Sequence, residues 1–194
     1  METIITKDTI TRHVEDLKIL VNKTSELHKD TIIKIAELII NSYRNDGKII
    51  IFGNGGSYAD SLHFAAELEG CYRNKNRSSL KAMVPSNPST ITAISNDFSY
   101  KEIFLRFIKA NADKRDIVIA LSTSGNSENV ILALEEAKNL GAITVGFTGE
   151  TGGKMKLFCD ILFNVPSQDT PRIQEIHHFA YHEICEIVEK EMFG

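Results

Sequence analysis

His63 and Glu67 stand four residues apart, just behind the glycine-rich start of IFGNGGSYADSLHFAAELEG, residues 51–70. On a helix that spacing puts both side chains on one face. An imidazole nitrogen beside a carboxylate oxygen suits a divalent metal such as zinc, and both groups can move protons near neutral pH. A solvated helix face with a weak His–Glu contact has the same spacing. A second group lies in PRIQEIHHFAYHEICEIVEKEMF, residues 171–193. There Gln174, His178 and His182 fall on one stripe at four-residue steps, while Ile173, Ile176, Ala180, Ile184 and Ile187 form the apolar stripe. Three of the chain's six histidines lie within these few residues. His177 points off the polar stripe and reads as structural or solvated. A glutamine carbonyl is a weak ligand alone but can complete a His/Glu site.

Two loops could hold an anion. Gly53-Asn54-Gly55-Gly56-Ser57 leads from an apolar run into a helix start. Its glycines let the backbone approach a ligand, and a helix N-terminus adds free N–H groups and partial positive charge. A tight strand–helix turn has the same composition. Ser122-Thr123-Ser124-Gly125-Asn126-Ser127 carries four hydroxyls, more than one helix cap needs. Neither loop has the lysine of a P-loop, and GxGxxG is absent, so a sugar phosphate fits better than a nucleotide. Asn96-Asp97 is a further polar pair, equally readable as an Asx turn or a helix cap.

These groups need elements to position them. Residues 24–47 have helical periodicity, with Gly47 as a stop. Strands are expected at 48–52, 79–84, 116–122, 142–148 and 160–165, with helices after the first glycines, over 126–141, and from Thr170 as N-cap with Pro171 at the first helical position. Alternating strands and helices predict an α/β fold, a three-layer, doubly wound, five-stranded parallel sheet of flavodoxin-like type with an N-terminal helical extension. Ligands in such a sheet sit beyond the carboxyl ends of the strands, which selects the loops after Phe52, Met83, Leu121 and Phe147. The 194 residues read as a single domain, with helices over 1–46 used in oligomer packing. A net charge of −4 argues against nucleic acid as main partner. No run approaches a membrane span and no signal peptide is visible; three widely spaced cysteines without CxxC suit a reducing cytoplasm.

Together, GNGGS (53–57), HFAAEL (63–68), NDF (96–98), STSGNS (122–127), TGETGGKM (148–155), RIQEIH (172–177) and His182 resemble the sugar isomerase (SIS) domain family. More narrowly, they resemble its members that convert sedoheptulose 7-phosphate to D-glycero-D-manno-heptose 7-phosphate. The likeness runs from about residue 30 to the end. It implies that Ser57, Ser122, Ser124 and Ser127 hold the phosphate, helped by backbone amides of Asn54, Gly55, Gly56 and Thr123. It implies one zinc ion per site among His63, Glu67, Gln174 and His182, with Glu67 and His182 as the acid–base pair acting through an enediol. Asn96, Asp97, Glu67 and Gln174 would contact substrate. The family is usually a homotetramer with active sites at subunit contacts. Where some members carry Asp before the RIQ triplet, this chain has Pro171. Some relatives are non-catalytic protein-binding modules that tend to lack the Glu and second His, both present here. A sugar-phosphate sensor and an isomerase for a shorter sugar phosphate are the other readings.

Overall fold

The computed structural model describes residues 7–194. Helix α1 spans Lys7–Arg44 as one unbroken rod, so the expected N-terminal helices merge into one. Residues 1–6 of that expectation lie outside the described residues. The stop comes slightly before Gly47. Asp46 takes the left-handed conformation (φ 64°), Gly47 N–H donates to the Ser42 carbonyl and Asp46 N–H to that of Tyr43. This is a Schellman closure with aspartate, not glycine, at the left-handed position. Gly47 is still required, because a Cβ there would collide with the Arg115 backbone.

Five strands follow: β1 Ile49–Gly53, β2 Ala82–Met83, β3 Ile117–Leu121, β4 Ile143–Thr148 and β5 Ile161–Asn164. All pair in parallel in the order β2-β1-β3-β4-β5, the doubly wound arrangement expected. The order reverses between β1 and β3, so the loops after these two strands face one crevice. Register there is pinned by Asp116, which accepts from the Lys48 backbone and side chain, at 3.0 and 2.7 Å. The second strand shrinks from the expected six residues to two at the sheet edge.

Strand alternation splits the core. Ile49, Ile51, Ile117, Ile119, Leu121, Val145, Phe147 and Phe163 pack with α1, α2 (Gly56–Glu69) and α6 (Thr170–Phe193). Ile50, Phe52, Val118 and Ala120 face the other layer, built chiefly from α4 (Ile103–Asn111) and α5 (Glu128–Asn139). The crossover between β2 and β3, not anticipated as helical, holds α3 (Pro88–Asp97), a 3₁₀ turn over Tyr100–Glu102, and α4. Its start signal is ordinary: the Asn87 side chain caps the amides of Ser89 and Thr90, with Pro88 next. Helix α6 includes Thr170, so the cap position falls on Asp169, whose side chain makes no capping bond, and Thr170 is the first helical residue. No helix among the described residues is long and apolar enough to cross a membrane.

Candidate active site

Helix α2 leaves the carboxyl end of β1 through Gly55, which has φ 57° and caps the helix with backbone alone. Two turns in, His63 Nε2 lies 3.0 Å from Glu67 Oε1, the contact expected at four-residue spacing. Helix α6 packs across α2, with the Phe64 and Tyr181 rings stacked at 5.1 Å. This packing delivers His178 and His182 to His63. Ring centroids are 4.9 Å apart for His63–His178, 5.1 Å for His63–His182 and 4.3 Å for His178–His182. One ring nitrogen from each lies within 4.8 Å of the others.

The polar partners inside this group are specific. Tyr181 Oη is 3.0 Å from both His63 Nδ1 and His178 Nδ1. His182 Nε2 is buried with no hydrogen-bond partner. Burial, then the neighbouring His178 and His63, push the His182 pKa down, against an upward pull from Glu67, so its neutral form is favoured. Asp60, 4.0 Å from His178 Nδ1, has its carboxyl raised by burial against the opposing pull of His178 and His63.

Gln174 lies two helical turns before His182 and outside the histidine group. Its amide packs over Gly56, where a Cβ would collide with it. With Gly56, Asp60, Pro171 and His178 it lines an opening at the α2 N-terminus.

The serine loop closes β3 into α5. Ser127 takes the N-cap position but makes no capping bond; its hydroxyl lies 3.2 Å from that of Ser122. Both hydroxyls and the first α5 amides are therefore not consumed by capping. Ser124 Oγ accepts from the Asn126 backbone. Gly125 (φ 63°) lies against the backbone of Gly152, where any Cβ would clash, so the TGETGG segment seats directly on the serine loop. Thr123 and Ser124 line a cleft of about 240 Å³ with Gly149, Glu150, Ser167 and Gln168. Ser57 is buried at the first turn of α2. The Asn54 side chain is occupied in tying the two loops together. It exchanges amide hydrogen bonds with Asn129 (3.0 and 2.9 Å) and accepts from Tyr100 (2.8 Å).

Within one chain the structure therefore unites His63, Glu67 and His182, and sets the glycine and serine loops side by side. It does not bring Asn96 and Asp97 into the histidine group. They end α3 exposed, with Asn96 Nδ2 donating to Asp97 Oδ1 at 2.8 Å. His177, read as structural or solvated, is fully buried and donates from Nε2 to the Thr148 carbonyl at 3.1 Å. Sequence reasoning passed over Asp60, Tyr181, Asn129 and Tyr100. Asp60 carried a signal, since it precedes His63 by three residues and so shares its face. Tyr181 was hidden among apolar positions, and nothing local marks Asn129 or Tyr100.

Comparison with known proteins agrees with this geometry. The SIS domain family profile matches residues 12–149, which includes both anion-type loops and ends before α6. The phosphoheptose isomerase of Clostridium acetobutylicum is 46% identical over 165 residues, covering 85% of this chain and 84% of that protein. The solved phosphoheptose isomerase of Neisseria gonorrhoeae superposes with a TM-score of 0.89 at 33% identity, covering 95% of this chain and 98% of that one. That of Francisella tularensis gives 0.91 at 29% identity, covering 98% and 100%. A family profile over most of the chain, and likeness in sequence and fold over nearly the full length of such relatives, leave one assignment: the chain belongs to the SIS domain family, among the phosphoheptose isomerases.

Proposed function

We propose that this chain isomerises sedoheptulose 7-phosphate to D-glycero-D-manno-heptose 7-phosphate in the cytoplasm, as a homotetramer with one zinc ion per active site. The observation that carries the reading is the meeting of His63, Glu67 and His182, from two helices, next to two loops whose helix N-termini lack side-chain caps.

Exchange between aldose and ketose moves a proton between adjacent carbons through an enediol. The carbon acid is weak, so a base must lie within hydrogen-bond reach and the developing charge must be met. Glu67 takes the proton from one carbon. His182, held neutral by burial and by its imidazole neighbours, moves the proton at the adjacent carbon or its oxygen. The serine hydroxyls and the amides at the starts of α2 and α5 bind the distal phosphate, fixing the sugar away from the reacting centre. The residues fit a metal: His182 offers a buried, unpartnered nitrogen, and His63 and Glu67 present a nitrogen and an oxygen 3.0 Å apart. His63, Glu67 and His182 would hold it, with Gln174 the fourth ligand in the family resemblance. Zinc bound there supplies Lewis acidity toward the sugar's carbonyl and hydroxyl oxygens.

The test is turnover of sedoheptulose 7-phosphate by the full chain before chelation, after it, and after zinc is returned. Loss and recovery of isomerisation are expected. Absence of turnover by the zinc-loaded chain, with sugar phosphate still bound, would make it a binding or sensing module instead.

A further inference from the structure

We propose that Tyr100 and Asn129 are positioning residues of the phosphate site, which brace the glycine loop by holding the side chain of Asn54. The inference rests on the phosphate reading above and deepens it.

The first argument is the freedom of the loop itself. Three of the four residues from Gly53 to Gly56 are glycine, so Asn54 carries the one side chain by which this stretch can be held. Glycine loses more backbone freedom on ordering than any other residue. A loop of this composition binds an anion tightly only if something fixes its shape beforehand, because ordering it on binding costs affinity. Close packing limits the loop at two points: a Cβ on Gly53 would strike the Leu121 carbonyl, and one on Gly56 would strike the Gln174 amide. Between them, the hold on the loop is the Asn54 side chain.

The second argument is what occupies that side chain. Asn54 Oδ1 accepts from Asn129 Nδ2 at 2.9 Å and from Tyr100 Oη at 2.8 Å, and Asn54 Nδ2 donates to Asn129 Oδ1 at 3.0 Å. Both lone pairs of the oxygen and one of the two N–H groups are used. An amide so engaged is a strut with little left to offer a ligand. Asn129 is 4% exposed and stands in the first turn of α5, the helix that the serine loop enters. The reciprocal amide pair therefore ties the glycine loop to the serine-loop helix and sets the span between the two groups of helix-terminal amides.

The third argument is the placing of Tyr100. Its residue is 55% exposed, so burial does not fix it. It opens the 3₁₀ turn, where Ser99 Oγ accepts from the Lys101 backbone at 3.2 Å. Lys101 Nζ then donates to Glu128 Oε1 at 2.8 Å, on the first residue of α5. One turn thus reaches the glycine loop through Tyr100 and the serine-loop helix through Lys101.

The experiment uses the zinc-loaded full chain. Tyr100→Phe deletes one hydroxyl from an exposed ring and should leave the fold intact. It should raise KM for sedoheptulose 7-phosphate about threefold to tenfold, the span of one neutral hydrogen bond, with kcat within about twofold of native. Calorimetry with inorganic phosphate should show Kd weakened by a similar factor. Asn129→Leu, which removes both bonds of the pair at similar volume, should weaken KM and phosphate affinity about tenfold or more. Asn129→Ser asks the same question with a smaller change if the leucine variant fails to fold. Tyr43→Phe, which loses a bond to the Lys81 carbonyl at the amino ends of the strands, should change neither. Because Tyr100 acts through Asn54, Tyr100→Phe should add little to the effect of Asn54→Ala. Native KM and phosphate affinity in Tyr100→Phe and the Asn129 variant, a loss confined to kcat, or effects of Tyr100 and Asn54 that simply add would overturn the proposal while leaving the phosphate reading standing. A native chain that binds neither inorganic phosphate nor the sugar phosphate would overturn both.

Discussion

At the scale of single residues, α6 treats two histidines only five positions apart in opposite ways. His182 lies among His63, His178 and Tyr181 with its pKa pushed down by burial and by the neighbouring imidazoles, whereas His177 is sealed into the core. Glu67→Gln and His182→Gln should each lower kcat by roughly 100-fold or more, the usual span for a positioned acid or base. Sugar phosphate should still bind, as read by calorimetry, because the loops that hold phosphate are untouched. Near-native turnover by Glu67→Gln would remove it from the acid–base role. For His177, burial depresses the pKa to about 4 from an ordinary 6.5, although the bond to the Thr148 carbonyl opposes the shift. The unfolded chain therefore takes up this proton as pH falls below about 6.5, while the folded chain resists until about 4. Stability from this group is complete above pH 6.5 and lost progressively down to about pH 4, a difference of about 3 kcal/mol across the window. Urea unfolding of metal-stripped protein at pH 7.5, 5.5 and 4.5 should show a flatter pH slope for His177→Gln than for native. Equal slopes would mean that other groups carry the acid sensitivity.

At the scale of elements, the site depends on how α2 and α6 are held together. Glu189 near the end of α6 accepts from the backbone N–H groups of Tyr72, Arg73 and Asn74, and from Arg77 Nε at 2.7 Å. Arg77 also donates to the Glu67 carbonyl at 2.7 Å. Burial opposes ionisation of Glu189, but Arg77 and the three amides overcome it and bring its pKa down to about 2. This clamp joins the last turn of the helix bearing His63 to the helix bearing His182. Breaking one side of a buried ion pair leaves the other charge unmatched, so Arg77→Met should cost about 3–5 kcal/mol in denaturant unfolding. Glu189→Gln, which keeps acceptor capacity for some of the amides, should cost less. If Arg77→Met unfolds like native protein, the clamp adds nothing measurable to the packing and the Tyr181–His63 contact that join α2 and α6. None of this clamp was legible in the sequence, because Arg77 and Glu189 are 112 positions apart and each looks like a surface charge. Strands β1, β3 and β4 were legible, being continuous β-branched runs ended by glycine or serine. The helices between β2 and β3 were not, since β-branched Ile and Thr in PSTITAISND blur the helical period. The His63–Glu67 pair could be read from its spacing. The contribution of Tyr181 could not, because its hydroxyl finds two histidines only after α2 and α6 have packed.

At the scale of the whole molecule, α1 extends an unfinished surface. Its stripe of Leu17, Leu20, Val21, Thr24, Ile32, Ile35 and Ile39 turns toward the sheet and α6, and Ile35 and Ile39 are fully buried. The same periodicity continues backward to Val14 and Ile10, which are 45% and 65% exposed in the single chain. An apolar helix face that continues beyond its own core is a surface another molecule can cover, and in the tetramer proposed above a second copy of the chain would cover it. Covering a side chain of this size contributes about 1.5–3 kcal/mol, and a symmetric contact repeats the gain on each protomer. Ile10→Asp combined with Val14→Asp should therefore move the protein from the proposed tetramer to smaller species at micromolar concentration in sedimentation velocity. These positions lie outside the buried core, so circular dichroism should remain native. If the family's placement of active sites at subunit contacts applies here, turnover per chain should fall in step with dissociation and recover as protein concentration rises. A variant that stays tetrameric would assign the assembly to another surface. One that dissociates with full turnover would confine the whole catalytic site to a single chain, with no residue supplied by a neighbour.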